Sequence, residues 1–161
     1  MLHLITPLIP PPLHRTGYRM AFALRTRWLR WRGGEIHGCT MIARDEQGRV
    51  LLVRHSYGAA VWSFPGGGMR KGEDPQLAAL REFAEELGAA IADPQHLGTL
   101  TEDYHGGRNV AHIFTGRIAG EARPDMREIV EARFFHHHEL PQDISRTVTV
   151  RMQLLSQWEA R

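Results

Sequence analysis

Three glutamates, Glu82, Glu85 and Glu86, crowd into five consecutive residues behind Arg81, downstream of the glycine run Gly66-Gly67-Gly68 and of Glu73. On a helix, carboxylates three and four apart are neighbours, and each like-charged pair costs about 0.2–0.5 kcal/mol in an isolated helix. A bound cation turns that repulsion into attraction. With no Cys or His in the stripe, the donors suit a hard, oxygen-seeking ion, Mg²⁺ or Mn²⁺. Magnesium is usually held by one or two carboxylates and completes its shell with water and phosphate oxygens, so the chemistry suggested is metal-assisted attack on a phosphate. Glu73 and Arg81 are spaced to orient the ligands. The competing reading is a merely acidic, solvated helix face.

The element that must carry these groups is bracketed in the sequence. Asp74-Pro75 supplies an N-cap with Pro at the first helical position, and Gly88 supplies a stop. At 100° per residue from Leu77, Leu80, Ala84 and Leu87, with Phe83 beside them, fall on one arc, which is expected to face the core. Glu82, Glu85 and Glu86 fall roughly opposite, on a stripe expected to point away from the packing face. Around this helix, Gly38 to Arg44 and Val50 to His55 read as a hairpin across Asp45-Glu46-Gln47-Gly48. Val61 to Phe64 reads as a strand that ends at Pro65 and the glycines. Further strands are expected at Gly98 to Tyr104, Val110 to Ile118 and Ala132 to Phe135, and a last helix at Ser145 to Glu159.

Taken together, Gly67, Glu73, Arg81, Glu82, Phe83, Glu85, Glu86 and Gly88 have the spacing Gly-x5-Glu-x7-Arg-Glu-apolar-x-Glu-Glu-x-Gly. This resembles the signature of the Nudix hydrolase superfamily, departing from it only at Ala89, where a larger aliphatic residue is usual. Trp62 to Gly68 and Glu128 to Pro141 also resemble segments flanking that box, so the resemblance covers about Gly38 to Pro141. It implies an α/β (α+β) fold, an α/β/α sandwich with a mixed sheet between helices. It also implies a divalent-metal-dependent pyrophosphohydrolase acting on a nucleoside diphosphate linked to another moiety. Carried over position by position, Glu82, Glu85 and Glu86 are candidate metal ligands with the Gly66 carbonyl, while Glu73 and Arg81 support them. The general base is Glu82 or Glu85, with Glu128 or Glu131 as outside candidates.

Other residues weigh less. Arg54 at a strand end is a candidate phosphate contact, though an exposed strand-end arginine explains it equally well. Tyr104, Tyr57 and Trp62 are candidates for stacking on a base, against the commoner role of aromatics in the core. Glu128 is a further substrate-side candidate. His136-His137-His138 cannot readily share one ion on an extended chain, where side chains alternate, and reads as a solvated loop. Met69-Arg70-Lys71 after the glycines is not the Gly-Lys-Ser/Thr of a P-loop.

The 161 residues, 42% hydrophobic and 24% charged, suit one globular domain and exclude low-complexity or collagen-like chains. Residues 1–34 hold six arginines and no acid, leaving 14 of the 20 basic residues against all 18 acidic ones. We therefore divide the chain into a Pro/Arg-rich arm, 1–34, with a helix at Tyr18 to Arg32, and a Nudix-like domain, 35–161. The arm packs on the domain or reaches for nucleic acid or a membrane surface, and Met20 is an alternative start. Prolines break the only greasy N-terminal stretch, so neither a membrane span nor a signal peptide is expected. The lone Cys39 excludes an internal disulfide and suits a cytoplasmic location. The expected partner is a small nucleotide, with a nucleotide-sensing module and an RNA-directed hydrolase as alternatives; a homodimer is compatible with the sequence.

Overall fold

The computed structural model describes residues 35–104 and 107–161, the side chain of Tyr104 excepted, so the arm and its expected helix lie outside the described residues. Strands β1 (Glu35–Arg44), β2 (Val50–His55), β3 (Ala90–Tyr104), β4 (Gly107–Ala119) and β5 (Ile129–Phe135) form one sheet in the order β3-β4-β1-β2-β5. β1 is parallel to β4 and the other pairs are antiparallel, which makes the sheet mixed. Side chains alternate along each strand. Cys39, Met41, Ala43, Leu51 and Val53 thus pack with Ala78, Ala79, Phe83 and Leu87 of helix α1 (Pro75–Leu87). Ile42, Val50 and Leu52 pack on the other face with Val148, Met152 and Leu155 of helix α2 (Arg146–Glu159). The result is the expected α/β/α sandwich.

Local chemistry explains the ends of these elements. Asp45 Oδ1 accepts from the Gln47 and Arg49 amides at 3.0 and 2.8 Å, closing the hairpin with Gly48 at φ 74°. Asp74 Oδ1 accepts from the Gln76 and Leu77 amides at 2.9 and 3.0 Å, and Gly88 at φ 63° ends α1. β3 starts well before the expected Gly98. It runs through Asp93-Pro94 because its ladder to β4 shifts register between Ala92 and Gln95 and again between His96 and Gly98. Irregularities of this kind on an edge strand accommodate a proline.

The strand expected at Val61 to Phe64 is not continuous. Ser63 bridges Val53 and Trp62 bridges Ile144, each as an isolated pair. The reason lies in the sheet: β1 and β2 share the register Arg44↔Val50 and then diverge. The segment after Ser63 enters the gap, with Met41 N donating to Pro65 O at 3.0 Å, Cys39 N to Gly67 O at 2.9 Å, and Met69 N to His37 O at 3.1 Å. The glycine loop is therefore bonded to a central strand.

Gly66 has φ 150°, and a Cβ there would lie 2.2 Å from Cys39 O. Gly66→Ala is accordingly expected to lower stability by about 3 kcal/mol or more, read as a drop in the urea midpoint.

Candidate active site

α1 presents its residues about a quarter-turn away from the expected orientation. Ala78, Ala79, Phe83, Glu86 and Leu87 are buried, whereas Ala84 is exposed and Leu77 is 61% exposed. The two small alanines let the helix lie flat on the sheet, and this turns Glu86 inward. The three glutamates therefore do not share one outward stripe. Glu86 is 3% exposed, Glu82 is half-buried and Glu85 is exposed.

Glu86 sits beneath the glycine loop. Its Oε2 accepts from the Gly66 amide at 3.1 Å, while its Oε1 is buried with no hydrogen-bond partner among the described residues. Burial, followed by the charges of Glu128 and Glu82, pushes this carboxyl well above its usual range. Burial raises Glu82 and Glu128 as well. A Cβ on Gly67 would lie 2.6 Å from the Glu82 carboxyl carbon, so glycine at this position is what admits that carboxylate.

Arg81 binds the acidic groups together. Its Nε and Nη2 donate to the two oxygens of Glu73 at 2.8 and 2.9 Å, and its Nη1 donates to Glu82 at 2.7 Å and Glu85 at 3.4 Å. Nη2 also reaches Gly68 O at 3.4 Å. The Arg81 bonds and the Arg70 amide, 2.8 Å away, hold Glu73 down at about 2. Glu85 points toward the rim, 3.8 Å from Arg70 Nη2.

Across from α1, β2 and the segment before β5 add two more groups. His55 Nε2 lies 3.9 Å from Glu86 Oε1, and one donor atom each of His55, Glu86 and Glu128 falls within 4.8 Å of the others. His55 Nδ1 is 3.3 Å from Ser63 Oγ, and burial pushes the imidazole down to about 4. The Tyr57 hydroxyl donates to Glu128 Oε1. A buried carboxylate oxygen lacking a partner, with an imidazole and a second carboxylate beside it, fits a divalent cation.

These groups open onto a cleft of about 770 Å³ lined by Gly66, Gly67, Gly68, Glu82, Glu128, His55 and Tyr57, and on its α2 side by Asn109, Ser145 and Arg151. Arg151 is 8% exposed and held by Glu102 at 3.0 Å. Arg54 does not line the cleft: it pairs with Asp143, approaches Glu131 at 3.8 Å and lies 4.7 Å over the Trp62 ring. Glu131 shares that position, paired with Arg133 at 2.8 Å. Trp62 is buried core, and the Tyr104 side chain lies outside the described residues. Cys39 is buried, its thiol pushed up to about 11 by burial, and His136 to His138 are exposed.

Sequence reasoning missed His55 and Arg151. Strand alternation at Arg54-His55 was the available signal, since only one of the two can face the cleft. Nothing local marks Arg151.

The family model described as NUDIX domain matches residues 37–152. An RNA pyrophosphohydrolase of Saccharophagus degradans is 43% identical over 58 residues, 36% of this chain and 34% of that protein. An uncharacterized Nudix hydrolase of Streptomyces coelicolor is 34% identical over 112 residues, 65% of this chain and 62% of that protein. The matched stretches thus span between about a third and under two thirds of these relatives. The crystal structure of a MutT NUDIX hydrolase from Burkholderia pseudomallei superposes with a TM-score of 0.70 at 24% identity, covering 75% of this chain and 98% of that one, a likeness of fold. Because the family match runs from β1 into α2 and takes in the whole acidic loop and helix, the chain belongs to the Nudix family.

Proposed function

We propose that the chain is a divalent-metal-dependent pyrophosphohydrolase acting on a nucleoside diphosphate linked to another moiety. The observation that carries this reading is the buried Glu86 oxygen, which has no hydrogen-bond partner among the described residues and lies beside Glu128 and Glu82 of the cleft's glycine wall. A structural helix gains nothing from such a carboxylate, whereas a cation site needs it. Glu86, Glu82, Glu128 and the Gly66 carbonyl are the groups we assign to metal, Mg²⁺ or Mn²⁺, with Glu85 left at the rim. When bound, the ion would supply charge neutralisation at the pyrophosphate and would make a water easier to deprotonate for attack on phosphorus.

The chain's own residues supply the rest. Arg81 fixes Glu82 in place and, through Glu73, ties the helix to the loop. Glu82, fixed by Arg81 at 2.7 Å, and Glu128, held by the Tyr57 hydroxyl, both line the cleft, and the one of them that does not bind metal is placed to accept a proton from the attacking water. Glu131 and Arg54 pair with each other's surroundings and take no part. On the α2 side of the cleft, Arg151 offers a donor to the substrate beyond the pyrophosphate. Arg151→Met is expected to raise KM about tenfold with little change in kcat, measured by steady-state kinetics.

The test is a hydrolysis screen with Mg²⁺ and with Mn²⁺ against ADP-ribose, dinucleoside polyphosphates, NADH, nucleotide sugars, oxidised nucleoside triphosphates and 5′-capped or triphosphorylated RNA, alongside Glu85→Gln and Glu86→Gln. Selective turnover lost in Glu86→Gln is the expected result. Nucleotide binding with no cleavage in either metal would hand the site to nucleotide sensing. The name of the Saccharophagus relative favours RNA as one class to include. An RNA role for the arm predicts strongly salt-dependent binding that is lost on deleting residues 1–34.

A further inference from the structure

We propose that His55 supplies a nitrogen ligand, through Nε2, to a divalent cation shared with Glu86 and Glu128. The inference rests on the metal-dependent reading of the site, and it adds to Glu86 of α1 a nitrogen from β2 that the acidic spacing does not single out.

Three observations carry it. First, two ligands bound to one ion at about 2.1–2.2 Å each lie no more than about 4.4 Å apart. His55 Nε2 and Glu86 Oε1 are 3.9 Å apart, and the Glu128 donor lies within 4.8 Å of both, so small side-chain rotations bring all three into range. Second, Glu86 Oε1 is buried and has no hydrogen-bond partner among the described residues, although Oε2 of the same carboxylate is satisfied by the Gly66 amide. The unsatisfied oxygen is the one nearest the imidazole. Third, the other ring nitrogen is already engaged: Nδ1 lies 3.3 Å from Ser63 Oγ. In the tautomer that donates the Nδ1 proton to that oxygen, Nε2 has its lone pair free, the arrangement in which histidine ligates metals. Ser63 is itself fixed by two backbone hydrogen bonds to Val53, so the ring is oriented by the sheet.

The consequence is a change in metal preference. An imidazole among carboxylates moves a site from Mg²⁺ toward Mn²⁺ and later divalent ions. The test is pulsed EPR on the folded full chain loaded with Mn²⁺ alone, with and without ¹⁵N-histidine labelling, beside His55→Gln and His55→Asn. Wild type should show a histidine nitrogen coupling that both variants lose, and their Mn²⁺ affinity should fall by at least about tenfold, narrowing the gap to Mg²⁺. Should the variants not fold, wild type still decides, because bound Mn²⁺ without nitrogen coupling overturns the proposal. Coupling that persists in His55→Gln or His55→Asn overturns it too, by assigning another histidine. Hydrolysis is not the readout: nitrogen coupling in a protein that cleaves nothing would sink the hydrolase reading and leave His55 as a ligand. Cleavage with Mg²⁺ and no coupling to Mn²⁺ would do the reverse.

Discussion

Glu86→Gln is expected to lower turnover by about three orders of magnitude while making the metal-free protein more stable. The first effect follows from losing a ligand to a cation whose charge neutralisation contributes several kcal/mol to the transition state, at 1.36 kcal/mol for about each tenfold in rate. The second follows from burial. Glu86 is 3% exposed, one of its oxygens has no hydrogen-bond partner among the described residues, and Glu128 and Glu82 add negative charge. Glutamine keeps the shape and an acceptor for the Gly66 amide without the charge, and about 1–3 kcal/mol should be recovered near neutral pH.

The pH dependence has a definite sign. A carboxyl whose folded value is raised above its ordinary 4.5 favours unfolding as pH climbs from 4.5 through the folded value, because the unfolded chain releases the proton first. The variant's advantage should therefore be absent below pH 4.5 and grow as the pH rises above it. Thermal unfolding in EDTA across this range measures it, and Mn²⁺ should stabilise wild type far more than the variant. A variant less stable than wild type at pH 7.5 without metal would contradict the account.

The second large effect is expected at Arg81. Its guanidinium holds Glu73, Glu82 and Glu85 at once, so Arg81→Met leaves three carboxylates facing one another. We expect a loss of about 2–3 kcal/mol in stability and about 100-fold or more in turnover, measured by chemical denaturation and steady-state kinetics. Adding Glu73→Gln should restore part of the stability and none of the turnover, since it relieves repulsion without repositioning Glu82. Here the sign is opposite to that for Glu86. Glu73 is held down at about 2, so its contribution is complete above 4.5 and is lost as pH falls from 4.5 toward 2. The stability difference between wild type and Arg81→Met should shrink over that acidic window.

What could be read from the residues was what local chemistry decides. Asp74-Pro75 and Gly88 bracket α1 because capping and a left-handed stop need no tertiary partner. The Asp45 turn is local in the same way. The rotation of α1 was not legible. Alanine is equally at home on either face, and only contact with the sheet makes Ala78 and Ala79 the buried pair and brings Glu86 under Gly66. Arg54 and His55 could not be sorted without knowing which side of β2 faces the cleft. Glu128 could be named but not placed, because its position depends on Ser56 N bonding to Glu128 O across a long sequence separation. The segment Val61 to Phe64 looked like a strand because Trp62 and Phe64 alternate into the core. That a gap between β1 and β2 would receive the loop after it is a property of the sheet alone.

That gap makes the site's wall mechanically continuous with the protein's centre. Most binding loops hang from a scaffold and can shift without disturbing it. Here Pro65 and Gly67 take the place that β2 vacates beside β1, and β1 is the middle strand of five. A force on the glycine wall is passed to Met41 and Cys39, which pack toward α1, and along β1 to Ile42, which packs toward α2. The wall cannot loosen unless the sheet opens, so whatever enters the cleft meets a surface shaped in advance by folding.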